Sequence, residues 1–160
     1  LTKTANPFPI SVLTLILTLF SSSTIKKEAL LASYSPLTAG TNTLLKHLYL
    51  RQRPIVGSLI HETGFSFPSG HSMISLALAV ISYLSFHFLS RKLIAYLLSA
   101  FLLAYTFLIG FSRVYINVHY VGDVLGGWLA SIVVFSILFV YLIYFLVQKD
   151  HYDEHEKETI

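Results

Sequence analysis

Five long stretches without a formally charged side chain divide this chain of 160 residues. Each is close to or longer than the roughly 17 to 25 residues with which an α-helix crosses a bilayer. The stretches are Thr4–Ile25, Ala29–Leu45, Thr63–Ser90, Leu93–Ser112 and Val124–Gln148, and only the third contains histidines, His71 and His87. Since 12% of the residues are charged, against roughly 25% in soluble domains, the sequence predicts an all-α, polytopic membrane helix bundle.

Prolines and charged residues set the ends of five predicted helices. These helices are Pro9–Phe20, Glu28–Leu50, Ser69–Ser90, Lys92–Phe111 and Val118–Val147. Pro7 and Pro9 leave only Ser11–Phe20 uninterrupted in the first helix, which is short for a membrane span. The chain opens at Leu1 without a basic segment or a signal-peptide cleavage site, so we expect an upstream segment to be missing. One membrane-embedded domain, 1–160, is expected, with 149–160 as a cytoplasmic tail.

Charge and cysteine content exclude several classes of function. The net charge is +3, but no basic stripe with interleaved aromatic residues suggests a nucleic-acid partner. The sequence has no cysteine, which excludes disulfides and thiolate metal sites. No cluster has metal-ligand spacing, so no metal and no cofactor is expected.

The basic residues fall on two sides of the predicted bundle. Lys26, Lys27, Arg91, Lys92 and the tail from Lys149 lie on one side, which the excess of lysine and arginine in short loops identifies as cytoplasmic. The residues on the other side are Lys46, Arg51, Arg53, His61, Arg113 and His119. Lysine and arginine are usually more frequent on the cytoplasmic side of a membrane protein, so cations on the outer side depart from that tendency. Binding an anion would explain their presence there.

Two of these cations share a helix face. Lys46 and Arg53 are seven residues apart, nearly two turns, so they project from one side at the end of the predicted second helix. Pro54 follows Arg53 and disfavours helical conformation at Arg53, so the helix should end there. Both cations can reach one anion.

The segment FPSGHS, residues 67–72, has the features of a helix start that binds an anion. Ser69 is a favourable N-cap, and the first N–H groups of the following helix lack intrahelical partners. Gly70 allows an anion to approach those N–H groups closely. His71 then stands in the first turn beside whatever this site holds.

The segment SRVYINVHYVGD, residues 112–123, adds an imidazole and a carboxylate. His119 and Asp123 are four apart, so at the start of the last helix they share a face. The carboxylate can then fix the tautomer of His119 and leave its other nitrogen as a nucleophile or base. A turn is needed to bring Arg113 to the same place, and Asn117 is positioned to cap the last helix.

Each of these features also has a simpler interpretation. Taken singly, Lys46, Arg53 and Arg113 are also compatible with interfacial residues whose charges reach water, and PSGH alone is compatible with a helix cap. His119 with Asp123 is compatible with a paired surface turn. Their convergence on one predicted face favours a functional site, because ionisable groups within membrane spans are energetically expensive.

Together these segments resemble the three signature motifs of the type 2 phosphatidic acid phosphatase superfamily, in its integral-membrane lipid phosphatase branch. The matching residues are KHLYLRQRP from Lys46 to Pro54, PSGH from Pro68 to His71, and Ser112 to Asp123. The resemblance covers about residues 46–123. The stretch HETGFSFPSGH, residues 61–71, is similar to bacterial phosphatidylglycerophosphate phosphatase B-type enzymes, which also act on undecaprenyl diphosphate.

The resemblance implies six helices, a metal-free site at the outer face and a phosphohistidine intermediate. It implies that His119 is the nucleophile, Asp123 its orienting carboxylate and His71 the acid that protonates the leaving oxygen. The implied phosphate-binding residues are Lys46, Arg53, Ser69, Gly70 and Arg113. His61 and Glu62 lie where they could touch a second phosphate or a headgroup.

Three functions remain open at this point. The first is hydrolysis of a membrane lipid phosphate or diphosphate, such as undecaprenyl diphosphate, phosphatidylglycerophosphate or phosphatidic acid. The second is a vanadate-dependent haloperoxidase, which shares the motifs but is disfavoured by the membrane spans. The third is a transporter or sensor that binds a phospholipid without hydrolysing it, which the complete set of nucleophile, orienting carboxylate and acid disfavours.

Overall fold

The computed structural model describes residues 25–54, 57–60, 62–88 and 92–158. These residues form four α-helices and no β-strand. The helices are α1 (Ile25–Tyr49), α2 (Gly70–Phe88), α3 (Lys92–Tyr115) and α4 (Val121–Glu158). The predicted all-α class is confirmed, and the predicted helix Pro9–Phe20 lies outside the described residues.

The predicted helix bounds differ from the observed ones between α3 and α4 and at the end of α4, which continues past the predicted Val147 to Glu158, so most of the predicted tail is helical. Helix α3 continues past Phe111, and Asn117 then takes a left-handed backbone conformation with φ of 56°, as residues just after helices often do. Asn117 therefore follows α3 and does not cap α4. Helix α4 begins only at Val121, because the Asp123 carboxylate reaches back to the N–H of Tyr120 at 2.9 Å and caps the helix there.

Helix α2 is the centre of the bundle. It packs against α1, α3 and α4, whereas α3 and α4 touch each other at few positions. Ile74 and Leu78 of α2 pack with Ile109 of α3. A second apolar cluster joins α1, α2 and α4 and consists of Tyr34, Met73, Ala77, Ile81 and Val134. Because α2 contributes to both clusters, it connects the other three helices.

The outer faces of α3 and α4 are apolar and exposed. Lys92–Tyr115 and Val121–Tyr141 are long and apolar enough to cross a bilayer, yet only 22% of the apolar window in each is buried within the protein. Leu97, Phe101 and Ile137 are each more than 60% exposed. The core helix of a soluble protein would bury such side chains, so these faces suit contact with lipid.

Polar side chains connect the helices inside the bundle. The hydroxyl of Tyr34 donates to the carbonyl of Ser131 at 2.8 Å, which joins α1 to α4. The amide of Asn42 donates to the carbonyl of Pro68 at 3.1 Å, which joins α1 to the residues before α2. Such bonds contribute to helix association where the surroundings are apolar.

The loop from α1 to α2 lies against the turn between α3 and α4. Leu59 N–H donates to the carbonyl of Ile116 at 3.1 Å, and Ser69 N–H donates to the carbonyl of Asp123 at 2.9 Å. The three sequence motifs therefore meet at one end of the bundle.

Two glycines let α4 approach the residues before α2. A Cβ built on Gly127 would lie 2.7 Å from the carbonyl oxygen of Ser69, and one on Gly126 would overlap the ring of Phe67. Because backbone atoms cannot rotate away, the contact at Gly127 leaves no room for a side chain.

Replacing Gly127 with alanine tests this close approach. Gly127→Ala is expected to lower the thermal unfolding temperature in detergent, since overpacking of this kind costs about 1 to 3 kcal/mol. Gly40→Ala is the matched control, because a Cβ there meets nothing within 4 Å and alanine favours helix over glycine. Equal unfolding temperatures for the two variants would contradict the prediction.

Candidate active site

A cavity of about 250 Å³ lies where the three motifs meet. The lining residues are Lys46, Arg53, Glu62, Thr63, Gly64, Phe65, Gly70, His71 and His119. Five of the eight predicted site residues thus face one space, and they include both imidazoles. Such a cavity, with cations and two imidazoles in its wall, is suited to an anion.

His119 and Asp123 are both buried and form a pair. Nδ1 of His119 lies 3.4 Å from Oδ2 of Asp123. His119 precedes α4 instead of lying in its first turn, so the pair does not share a helix face as predicted. The two residues meet because the Asp123 side chain folds back toward Tyr120 at the start of the helix.

The Asp123 carboxylate has further partners beyond the predicted one. Arg51 Nη1 donates to Oδ1 at 2.9 Å, and the Ser66 hydroxyl donates to Oδ2. Ser66 Oγ also lies 3.4 Å from His119 Nδ1. The carboxylate is therefore held from both sides, which fixes the orientation of the imidazole ring beside it.

Arg53 identifies the tautomer of His119. Arg53 Nη1 lies 3.2 Å from Nε2 of the imidazole. Because a guanidinium only donates hydrogen bonds, Nε2 must accept, and the proton must then reside on Nδ1, toward Asp123. In this arrangement His119 is neutral, and its Nε2 lone pair is the one that a nucleophile would use.

The surroundings of His119 favour this neutral form. Burial lowers its pKa, the hydrogen bond that Nδ1–H donates to Asp123 opposes that effect, and the charges of Arg53, Lys46 and Arg113 lower it again. The net result is a pKa below the ordinary value for histidine. The imidazole therefore stays unprotonated, and able to attack, down to a lower pH than a solvent-exposed histidine.

Carbonyl groups of the loop before α2 hold two of the cations. Arg53 donates through Nε to Gly64 at 3.0 Å and through Nη2 to Thr63 at 3.2 Å. Lys46 Nζ donates to the carbonyl of Phe65. These bonds fix both cations in the cavity wall.

Helix α1 ends at Tyr49 and Leu50 has a φ of 48°, so Arg53 follows the helix and does not share its face with Lys46 as predicted. Their binding of one anion stays a prediction.

Ser69 and Gly70 differ in their relation to the cavity. Gly70 is part of the wall, with the first turn of α2 behind it. Ser69 is fully buried, its N–H donates to Asp123, and its Oγ accepts from the hydroxyl of Ser72 at 3.0 Å. Ser69 acts as the helix cap in this structure, and its predicted contact with phosphate stays a prediction.

Arg113 lies behind the cavity wall. Its guanidinium is fully buried, and Nη2 lies 2.5 Å from Oε1 of Glu62. The other Glu62 oxygen is 3.7 Å from Arg53 Nη2. Burial raises the pKa of Glu62, but Arg113, Arg53 and His71 outweigh that effect and hold it below the usual value. Glu62 is thus an ionised carboxylate between Arg113 and the cavity.

The sequence reasoning missed two residues of this site and did not anticipate the role of a third. Arg51 and Ser66 hold Asp123, and Glu62 pairs with Arg113. No spacing rule marks Arg51 or Ser66; their positions, two residues before Arg53 and two before Pro68, are the only available signals. Of the two residues predicted to touch a headgroup, Glu62 lines the cavity and His61 lies outside the described residues.

A bundle of apolar helices with this cavity at one end defines a membrane protein with a polar cavity that is lined by two cations and two imidazoles. The PAP2 superfamily matches residues 11–147, and the chain belongs to this superfamily. The resemblance noted in the sequence is thereby confirmed.

Individual relatives agree with this assignment. The chain is 40% identical over 102 residues to phosphatidylglycerophosphatase B of Bacillus subtilis (strain 168), covering 61% of this chain and 49% of that protein. It is 27% identical over 135 residues to undecaprenyl-diphosphatase BcrC of the same strain, covering 81% and 65%. The chain therefore spans about half the length of the first of these relatives and less than two thirds of the second.

A solved structure also matches. The crystal structure of a transmembrane PAP2-type phosphatidylglycerolphosphate phosphatase from Bacillus subtilis superposes with a TM-score of 0.68 at 32% identity, covering 84% of this chain and 67% of that one. With the exposed apolar faces of α3 and α4, this match establishes the chain as an integral membrane protein.

The protonation of His119 is directly testable. In spectra of histidine-labelled protein, the His119 resonance, identified by its loss in His119→Gln, is expected to titrate below about pH 6.5, the usual value for histidine. Asp123→Asn should lower the pKa further, because the carboxylate favours the imidazolium. A wild-type pKa above the usual value, or a rise in Asp123→Asn, would contradict the electrostatic account of the site.

Proposed function

We propose that this chain is a single membrane-embedded domain that removes phosphate from a lipid phosphate or lipid diphosphate through a phosphohistidine intermediate, without a metal ion. The observation that carries the proposal is the position of the His119 imidazole, beside Asp123 and at a cavity whose wall contains Lys46, Arg53 and His71. Nucleophile, orienting carboxylate, cations and a second imidazole are the groups that this reaction requires.

In the first step, Nε2 of His119 attacks phosphorus in line with the bond to the lipid oxygen. The P–O bond breaks, and its electron pair goes to the leaving oxygen, which takes a proton from His71. The phosphoryl group is then bonded to Nε2. Asp123 stabilises the positive charge that develops on the ring of His119.

In the second step, water hydrolyses the intermediate. His71, now neutral, accepts a proton from the water molecule, whose oxygen attacks phosphorus. The P–N bond breaks, its electrons return to Nε2, and inorganic phosphate is released. Both histidines are then back in their starting protonation states.

Fixed positive groups supply the electrostatic stabilisation that phosphoryl transfer needs. Lys46, Arg53 and the backbone of Gly70 are placed at the cavity to bind the equatorial oxygens. The described residues contain no group of three or more His, Asp or Glu side chains placed to hold a metal ion. The proposal therefore assigns charge neutralisation to the protein's own cations.

The position of the cavity favours a lipid substrate. It lies at the ends of apolar helices, where a phosphate can be at the headgroup level while its anchor stays in the bilayer. The names of the relatives suggest phosphatidylglycerophosphate and undecaprenyl diphosphate as the first candidates, with phosphatidic acid as a third. We propose this substrate class without ranking its members.

Release of inorganic phosphate from these three lipids in detergent, in excess EDTA, tests the mechanism. Wild-type protein is expected to be active, since no metal takes part. His119→Ala should abolish turnover, and His71→Ala should reduce it by a factor of about 10² or more, as for loss of a general acid–base.

Lys92→Gln is a suitable control for this assay, because Lys92 is exposed at the opposite end of the bundle. Full activity in either histidine variant would remove its assigned role. Activity that disappears in EDTA and returns with magnesium would overturn the metal-free mechanism.

We further propose that the cavity faces the extracytoplasmic side and that α4 ends in the cytoplasm. Lys26, Lys27, Lys92 and Lys149 all lie toward the helix ends remote from the cavity. An excess of lysine at one end of membrane helices marks the cytoplasmic side. The cell membrane of a bacterium is the proposed location, since both named relatives are from Bacillus subtilis.

Cysteine labelling tests this orientation, because the sequence contains no cysteine of its own. A membrane-impermeant maleimide added to intact cells is expected to label Ser58→Cys, in the exposed loop at the cavity end, and not Lys92→Cys. Lysis should make Lys92→Cys reactive and so serves as the control. Labelling of Lys92→Cys alone in intact cells would reverse the proposed orientation.

A further inference from the structure

Arg113 is a buried cation whose donors are incompletely used. Its guanidinium is fully buried, and one nitrogen, Nη2, is bonded to Glu62 at 2.5 Å. Among the described residues, Nε and Nη1 of Arg113 have no hydrogen-bond partner. Buried donors without partners are unfavourable, so the Arg113 guanidinium can accommodate a further anion oxygen at Nε or Nη1.

The Glu62 carboxylate stands between this cation and the cavity. Glu62 lines the cavity, whereas Arg113 does not. One carboxylate oxygen is on Arg113 and the other lies 3.7 Å from Arg53, so Glu62 bridges two cations. An anion that enters the cavity meets Lys46 and Arg53, but it reaches Arg113 only if the carboxylate moves.

Glu62 has room to move. Its side chain is 27% exposed, whereas that of Arg113 is fully buried. Gly64, two residues later, has φ of 77°, a conformation that glycine adopts at no steric cost. The carboxylate can therefore leave Arg113 through a side-chain rotation and a local shift of the loop, while Arg113 stays within the bundle.

From this arrangement we infer that Glu62 is an internal competitor that occupies Arg113 in place of a phosphate oxygen, so that it sets the affinity of the site for phosphate. The inference rests on the proposed function, because the ligand that displaces Glu62 is the phosphate of the substrate or product. Substrate binding exchanges the carboxylate for a phosphate oxygen on Arg113. After hydrolysis, return of the carboxylate favours release of inorganic phosphate.

A purely structural role for Glu62 predicts the opposite change in phosphate affinity when Glu62 is removed. If Glu62 served only to position Arg113, its removal would weaken phosphate binding. If Glu62 competes, its removal strengthens phosphate binding, because phosphate then no longer has to displace a carboxylate from Arg113. The sign of the change in affinity therefore distinguishes the two roles.

Equilibrium binding of inorganic phosphate to the full chain in detergent, measured by calorimetry, is the test. Glu62→Gln is expected to bind phosphate about tenfold or more tightly than wild type, within the range of typical coupling between sites. The KM for a lipid phosphate should fall in parallel, because the lipid headgroup and the free phosphate ion are proposed to bind the same site. Glu154→Gln, the same chemical change in the tail, should leave both quantities unchanged.

A double-mutant cycle assigns the effect to Arg113. In an Arg113→Gln background, Glu62→Gln is expected to increase phosphate affinity by a clearly smaller factor, because only the contact of Glu62 with Arg53 is then removed. Glu62→Ala provides a second variant of the same sign if the glutamine variant unfolds. Weaker or unchanged phosphate binding in both Glu62 variants, or an equal gain with and without Arg113, would overturn this inference alone. Absence of phosphate binding and turnover in wild type would overturn the proposed function with it.

Discussion

The buried carboxylate of Asp123 is the interaction on which the site depends, because it contacts residues from three separate segments and the imidazole of His119. Arg51 reaches it from the end of α1, Ser66 from the loop before α2, and Tyr120 from the turn before α4. The backbone carbonyl of Asp123 accepts a hydrogen bond from Ser69 N–H. A charge buried in an apolar bundle is tolerated only when it is paired and hydrogen-bonded, and here satisfying one carboxylate brings three loops together around His119.

The cations of the site are stabilised by groups that resemble their proposed ligand. The carbonyls of Thr63, Gly64 and Phe65 and the carboxylate of Glu62 present oxygen atoms to Lys46, Arg53 and Arg113. Several positive side chains in a small volume repel one another, and these oxygens offset that repulsion in the absence of an anion. The same loop thereby keeps these cations at the cavity, where the proposed chemistry needs positive charge.

The sequence predicted the helices well because apolar runs and charged ends are local signals, and α1 to α4 each correspond to a predicted helix. It also identified Lys46, Arg53, His71 and His119 as neighbours, since their motifs sit at helix ends on one side. The start of α4 could not be placed, because it depends on which backbone N–H Asp123 reaches. Arg51, Ser66 and the position of Glu62 in front of Arg113 depend on contacts between distant segments, and hydrophobic periodicity carries no information about those.

The backbone contact at Gly127 has a mechanical consequence for the bundle. At Gly127 the backbone of α4 lies against the backbone of Ser69, and Ser69 N–H donates to the carbonyl of Asp123, so this block of the start of α2 and the first turns of α4 is held together beside His71 and His119. Membrane helices adapt to bilayers of different thickness by tilting. Tilt of this block changes the depth of the cavity relative to the lipid surface, while the separation of His71 and His119 is preserved.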